Sequence, residues 1–352
     1  MKIRILERIR DKINRTNHTL KRFINASLNF FSQHIKSPHV FGLPESIFIE
    51  PTNMCNLKCP LCPTGSGNMK RRKGFLSLKN FKQIIDEIGD YIYYLTLTNY
   101  GEPFLNKNIL EMISYAKQKK LVVSIVTNAQ LINEFYTAGI VKARLDNILI
   151  SMDGSCQTSY EKYRVGGELY KVIEAIKLIR EERERKNSKL PSIYIQFIVM
   201  KHNENEIQEM KDLAKELKAD KLVFKKLCNL SGFPEHLKDM ESYIPNNLDY
   251  NAYKIELNSI KWNTFKQDKN WCDMAWNYPA INWDGSLSPC CFDYESYFNL
   301  GNVFESSFKN VWNSKKFISL RRNLLRDKSS IPICSKCPVN FYDDIIEEVV
   351  FK

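Results

Sequence analysis

Residues 46–63 read Ser46-Ile-Phe-Ile-Glu50 followed at once by Pro51-Thr-Asn-Met-Cys55-Asn-Leu-Lys-Cys59-Pro-Leu-Cys62-Pro63. The first five residues read as a strand, and the loop that leaves it carries three cysteines spaced C-x3-C-x2-C. Structural zinc takes four ligands, and this loop offers three. No further thiol follows until Cys156. Three thiolates on a four-iron cube leave one iron open to bind a small molecule, as an open catalytic metal site does. A surface zinc loop or three unligated thiols is the plainer alternative. Position argues for chemistry, because parallel α/β folds place their sites at the carboxyl ends of strands.

Outward from this loop the pattern alternates. Strands are predicted over Ser46–Glu50, Tyr93–Thr98, Leu121–Val126, Asn147–Ser151, Ile193–Met200 and Lys221–Lys226. Helices are predicted over Ser77–Ile88, Lys107–Lys119, from about Leu131, over Tyr170–Arg183 and over Glu204–Leu217. Ser77 has the side chain of an N-cap. Six β/α units in series predict a parallel sheet with helices outside. Six is two short of an eight-fold barrel, so the count suits an open partial barrel or a doubly wound sheet. Beyond Leu230 the alternation stops and Gly, Pro, Asn and Trp become frequent. The expected domains are therefore 1–45, 46–230 and 231–352, the last a small loop-rich unit that needs a metal to stiffen it.

The formal charge of +12 is uneven. Residues 1–36 hold nine Lys or Arg against Glu7 and Asp11, and a second basic run is Lys70-Arg71-Arg72-Lys73. Ile5, Ile9 and Ile13 share one face of a predicted helix over residues 1–36, with basic residues opposite. Such a helix suits packing on its own protein first and a membrane surface second. The basic excess reads as a solvated surface or as attraction to an acidic partner, such as a phosphorylated substrate. No run of 18 apolar residues occurs, and the N-terminus is too basic and interrupted for a signal peptide, so a cytoplasmic protein is expected. Ten cysteines in such a chain point to metal or catalysis rather than disulfides.

The C-x3-C-x2-C loop after the first strand resembles the hallmark of the radical S-adenosylmethionine (SAM) superfamily, over about residues 46–230. The resemblance implies a partial (β/α)6 barrel in which Cys55, Cys59 and Cys62 hold a [4Fe–4S] cluster. It implies that SAM binds the open iron and is cleaved by one electron to a 5′-deoxyadenosyl radical, which takes hydrogen from substrate. Tyr100-Gly101-Glu102-Pro103 is similar to the family's Gly-Gly-Glu turn, which binds the methionine amino group, with Tyr100 in place of the first glycine. Thr127 and Asn128 end the third strand, and Ser151 with Asp153 the fourth. In the family such residues bind ribose or the methionine carboxylate, although Asp153-Gly154 is also an ordinary turn pair. Ile198-Val199-Met200 stands where the family makes apolar adenine contacts, or is simply core. Leu61 departs from the aromatic residue that many members carry there.

Cys272, Cys290, Cys334 and Cys337 form a second group. Cys334-x2-Cys337 is a metal knuckle that zinc would also accept. Asp284-Gly285 predicts a hairpin turn. Neighbours on a strand face opposite ways, so one of Cys290 and Cys291 faces the metal. The region resembles the SPASM/twitch domain, whose Gly-x4-Cys spacing is met by Gly285 and Cys290. Trp276, Leu300-Gly301-Asn302 and Val311-Trp312-Asn313 look like it too. The resemblance implies one auxiliary [4Fe–4S] cluster on four cysteines, as electron acceptor, relay or structural element.

The expected activity is a radical SAM oxidoreductase that dehydrogenates a small polar sugar-like alcohol, phosphorylated or nucleotide-linked, with the auxiliary cluster taking the second electron. The alternative is a ribosomal-peptide maturase that forms a thioether or carbon crosslink. A reducing partner such as flavodoxin or ferredoxin is implied. A non-enzymatic zinc protein binding nucleic acid leaves the three-cysteine loop unexplained, so no nucleic acid is expected. Glu50, Lys225 and Lys226 are within reach of a barrel substrate by position alone, and Cys228 is either an inert thiol or a hydrogen donor.

Overall fold

The computed structural model describes residues 19–228, 240–256, 259–262, 270–335, 337 and 345–351. Helix α1 (Leu20–His34) leads to strand β1 (Ser46–Ile49). There follow α2 (Leu78–Ile88), β2 (Tyr94–Thr96), α3 (Ile109–Gln118), β3 (Val122–Thr127), α4 (Glu134–Lys142) and β4 (Asn147–Ser151). Next come α5 (Gln157–Tyr163), α6 (Leu169–Arg185), β5 (Ser192–Val199), α7 (Ile207–Glu216) and β6 (Lys221–Lys226). The C-terminal part holds the β7 (Tyr253–Glu256) and β8 (Ser259–Trp262) hairpin, α8 (Met274–Asn277), β9 (Ala280–Ile281) and β10 (Leu287–Ser288). It continues with α9 (Phe308–Trp312), α10 (Lys315–Asp327), α11 (Pro332–Ser335) and β11 (Ile345–Val350).

Strands β1 to β6 lie side by side in chain order, all parallel. This is the α/β partial barrel that the alternation predicts, and every predicted strand is present within one to two residues. The sheet does not stop at β6. Strand β9 pairs parallel with β1, β10 returns antiparallel to β9, and β11 runs antiparallel to β6, giving nine strands. The C-terminal segment therefore covers both edges of the barrel, which would otherwise present unpaired backbone. The boundary expected near residue 231 lies outside the described residues.

Burial follows the two-residue period of strands. In β5, Ile193, Ile195, Phe197 and Val199 are fully buried under the helices, while Tyr194, Gln196 and Ile198 face the barrel interior and stay part-exposed. Strand β3 repeats the pattern, with Val123 and Ile125 in the core and Ser124 inward. The helices answer with apolar stripes, such as Phe81, Ile84, Ile85 and Ile88 on α2, capped by Ser77 accepting from the Asn80 backbone N–H. Helix α5 had no counterpart in the periodicity. It is two turns long, too short for an apolar stripe to stand out.

Helix α1 departs from expectation. The Ile5, Ile9 and Ile13 face lies outside the described residues. Within α1 the buried residues are Arg22, Asn25, Asn29 and Ser32, so the polar side packs on the protein.

Candidate functional site: two cysteine clusters at the barrel mouth

The first loop leaves β1 at the carboxyl end of the sheet. Cys59 is buried and Cys55 and Cys62 are half-buried. Burial pushes Cys55 up to about 12 and raises Cys59 as well, and the neighbouring Cys62 thiol adds to both shifts. Around them pack Leu57, Leu61, Tyr163, Met200 and Ile198. The Ile198–Met200 segment thus touches the cysteine loop, where the family resemblance places apolar contacts. Gly65 is required by proximity, since a Cβ there would sit 2.5 Å from the Cys59 backbone nitrogen.

The turn at Gly101 braces this loop. Gly101 has φ +79°, and a Cβ would meet the Thr52 carbonyl at 2.4 Å and the Met54 carbonyl at 2.6 Å. Its role here is close backbone approach to the loop. The Glu102 N–H then donates to the Met54 carbonyl at 2.7 Å. The Glu102 carboxylate is fully buried and accepts from Thr127 Oγ1 (2.7 Å) and from the backbone N–H of Asn128 (2.9 Å) and Phe104 (3.2 Å). Burial outweighs these bonds and pushes it up to about 7. Asn128 Nδ2 points the other way, 2.9 Å from Asn56 Oδ1 and 3.7 Å from Cys55 Sγ.

Asp153 is engaged differently. Its carboxylate is buried, pairs with Arg164 Nε at 2.5 Å and accepts from the Ile198 N–H at 2.7 Å. Arg164 also reaches Cys59 Sγ at 3.8 Å. Sequence reasoning missed Arg164, which follows α5 and has no motif around it. Ser151 is buried at the end of β4. The structure thus brings Gly101, Glu102, Thr127 and Asn128 together with the loop, and links Asp153 to it through Arg164.

Cys272, Cys290, Cys291 and Cys334 are all raised chiefly by burial, Cys291 and Cys334 up to about 12, and Cys290, Cys291 and Cys334 each lie close enough to Cys272 and Cys337 to feel their charge. The Asp284-Gly285 turn is present, with Gly285 at φ +86°. The strand ends at Ser288, before Pro289, so strand alternation does not separate Cys290 from Cys291. Both face the same neighbourhood. Among the described residues no three Cys, His, Asp or Glu converge to hold a single metal ion.

The two cysteine regions are tied together. Glu50, at the end of β1, is fully buried and takes a two-pronged bond from Arg71, Nη2 to Oε1 at 2.8 Å and Nη1 to Oε2 at 3.2 Å. Arg71 Nε donates to the Tyr294 carbonyl, and the Trp283 N–H donates to Glu50 at 3.2 Å. Glu295 accepts from the backbone of Lys70 and Arg71. Tyr100 donates to the Cys291 carbonyl at 2.6 Å. Within the basic run Lys70–Lys73, Arg71 is committed to Glu50 and Arg72 lies over the Trp283 ring at 6.0 Å, while Lys70 and Lys73 are exposed.

A family model described as the radical SAM superfamily matches residues 49–241, more than half of the chain. The chain belongs to the radical SAM superfamily. A second model, an iron–sulfur cluster-binding domain called SPASM, matches residues 272–338. The radical SAM chain is 24% identical over 324 residues to a tungsten-containing aldehyde ferredoxin oxidoreductase cofactor-modifying protein of Pyrococcus furiosus, covering 86% of this chain and 89% of that protein. It is 26% identical over 205 residues to a PqqA peptide cyclase of Rhodopseudomonas palustris, covering 58% of this chain and 52% of the cyclase. In fold it is similar to Streptococcus suis SuiB bound to precursor peptide SuiA, with a TM-score of 0.62 at 17% identity, over 84% of this chain and 70% of that one.

The radical SAM domain brings a [4Fe–4S] cluster and SAM, and the SPASM domain brings auxiliary iron–sulfur chemistry. The donor sets fit these groups. Soft thiols suit iron–sulfur ligation, and none of those described is in a disulfide. Asn128 and Arg164 aim N–H groups at Cys55 and Cys59 sulfurs, the kind of outer contact that tunes a cluster's potential.

Proposed function

We propose that this radical SAM enzyme modifies a peptide, joining two of its residues through a thioether or carbon crosslink. The observation that carries the reading is kinship: one of the relatives above is a peptide cyclase, 26% identical over 205 residues. Sequence alone put a small sugar-like alcohol first. Nothing beyond fold supports that substrate, and the Arg71 pairing removes one reason for expecting a phosphate.

Bound together and reduced, the cluster and SAM supply the 5′-deoxyadenosyl radical that takes a hydrogen atom. Cys55, Cys59 and Cys62 would hold the cluster. Glu102, ionised, would hold the methionine ammonium, and Thr127 and the Asn128 N–H fix that carboxylate in place. Crosslinking removes two hydrogens from the peptide. One leaves as an atom, the other as a proton and an electron. The set Cys272, Cys290, Cys334 and Cys337, with Cys291 beside it, would hold the group that accepts the electron. A low-potential donor such as flavodoxin or ferredoxin is needed to start each turnover. Gln196, part-exposed and inward on β5, would line the interior above the Tyr194 level.

The test is anaerobic co-expression with each short peptide encoded beside the gene, read by mass spectrometry. A Cys55-dependent loss of two hydrogens from one peptide is expected. Unchanged peptides together with oxidation of an alcohol substrate would return the sugar reading.

A further inference from the structure

Helix α1 is turned inside out. Its sequence, Leu20-Lys-Arg-Phe-Ile-Asn-Ala-Ser-Leu-Asn-Phe-Phe-Ser-Gln-His34, has one apolar and one polar side, and a surface helix ordinarily buries the apolar one. Here the polar side is buried. Asn25 exchanges two hydrogen bonds with the Leu43 backbone, accepting at 2.7 Å and donating at 3.0 Å. Asn29 donates to the Leu43 and Trp276 carbonyls, and Ser32 accepts from the Phe41 N–H. Arg22 donates to the Gly89 and Lys119 carbonyls at 2.9 and 2.5 Å. Those carbonyls close α2 and α3, where a cation satisfies orphan acceptors.

Gly89 and Lys119 stand before β2 and β3, so α1 lies on the floor of the barrel, opposite the cysteine mouth. Its outer face is Leu20, Phe23, Ile24, Leu28, Phe31 and Ile35, each between 41% and 75% exposed. Phe41, 49% exposed, continues the patch and meets Phe31 ring to ring. Contiguous exposed apolar surface of this kind marks an interaction site. At 15 residues the helix is about 22 Å long, and no helix among the described residues is long and apolar enough to cross a membrane.

Charge selects the occupant. The sequence directly ahead of α1 carries Lys2, Arg4, Arg8, Arg10, Lys12 and Arg15 against Glu7 and Asp11. Lys21 and Lys309 flank the groove beside Ile24 and Leu28, with Asp90 the acidic neighbour of Lys21 at 3.3 Å. A second copy would bring the same positive charge against itself. An anionic lipid surface satisfies both the apolar face and the basic segment. We propose that α1 seats in the headgroup region of an anionic membrane, in its plane, and holds the barrel mouth facing away from the bilayer.

The test is co-sedimentation of the full, cluster-reconstituted chain with vesicles of phosphatidylglycerol and phosphatidylcholine in equal parts, beside vesicles of phosphatidylcholine alone. The wild-type chain pellets with the anionic vesicles and is released by high salt. Phe23→Glu combined with Phe31→Glu weakens binding by roughly tenfold or more, and uncoupled 5′-deoxyadenosine formation stays unchanged, which reports an intact fold. A wild-type chain left in the supernatant overturns the proposal, as does equal pelleting of the double variant. A dimer that dissociates on substitution, with no vesicle binding, assigns the face to a second copy. If the double variant fails to fold, Ile24→Gln answers the same question.

Discussion

The two cysteine regions are built in opposite ways. Cys55, Cys59 and Cys62 come from one loop on one strand end, within eight residues. The second set is gathered from α8's approach, the end of a hairpin and the region of α11, and it exists only because those segments pack against the barrel. A locally coded site keeps its spacing whatever the rest of the chain does. A site assembled at long range depends on the contacts that bring its parts together, here Glu50–Arg71–Tyr294 and Tyr100–Cys291.

Removing the cysteines separates the two most sharply. Cys55→Ala, Cys59→Ala and Cys62→Ala are each expected to abolish 5′-deoxyadenosine formation. Cys334→Ala is expected to lose the auxiliary iron while sparing part of that activity. Iron and sulfide per chain, with product quantified by chromatography, decide it. Complete loss of SAM cleavage in Cys334→Ala would show that the two sites do not load independently.

The next largest effect concerns the link. Arg71→Met leaves the Glu50 carboxylate buried without its cation, a change that costs about 3–5 kcal/mol. Denaturant unfolding is expected to show that loss, and adding Glu50→Leu is expected to restore most of it, because the pair is replaced rather than broken. A neutral Arg71→Met would mean that Glu50 takes its support from the Trp283 N–H alone.

What the sequence discloses follows the same division. The six strands, the C-x3-C-x2-C loop and the Asp284-Gly285 turn depend on short periods and short spacings, and they stand where the pattern puts them. Arg164 and the Arg71–Glu50 pair are long-range contacts: Arg164 meets Cys59 across 105 positions, and no spacing announces it. In the run Lys70–Lys73, nothing in the spacing shows that Arg71 turns inward to Glu50 while Lys70 and Lys73 stay exposed. Helix α1 misleads for a related reason. Its amphipathic pattern is plain, but which side packs depends on the carbonyls of Gly89 and Lys119 waiting for Arg22. The choice between Cys290 and Cys291 fails because Pro289 ends the strand on which the alternation argument relied.

Glu102 sharpens the chemistry of the first region. With its carboxyl pushed up to about 7 by burial, it is largely neutral in mild acid and ionised in mild base. A cationic ammonium binds the ionised form, so SAM affinity rises as pH goes up through 7 and then levels. Between about pH 6 and pH 8 the wild-type gain is about tenfold, and Glu102→Gln binds more weakly with no such slope. Calorimetric titration of the reconstituted enzyme reads both. A slope that survives in Glu102→Gln would assign the ammonium to another group.

The smallest effect tests the connection at its finest point. Where the family's turn has glycine, this chain has Tyr100, buried, its hydroxyl 2.6 Å from the Cys291 carbonyl and its ring edge-on to Tyr294. The substitution is not a loss of turn geometry, because the positive φ falls on Gly101. It gives the turn a side chain long enough to reach the second cysteine region. Tyr100→Phe keeps the ring and removes one hydrogen bond, a loss of about 1 kcal/mol in stability. If the hydroxyl only fills space, the electron paramagnetic resonance spectra of both clusters stay as they were. If it positions the Cys290–Cys291 segment, the auxiliary signal shifts and the SAM-cluster signal does not, since Glu102 and its partners are untouched. That selective change is the expected outcome, and it would make Tyr100 the residue through which a locally coded turn sets the geometry of a site assembled at long range.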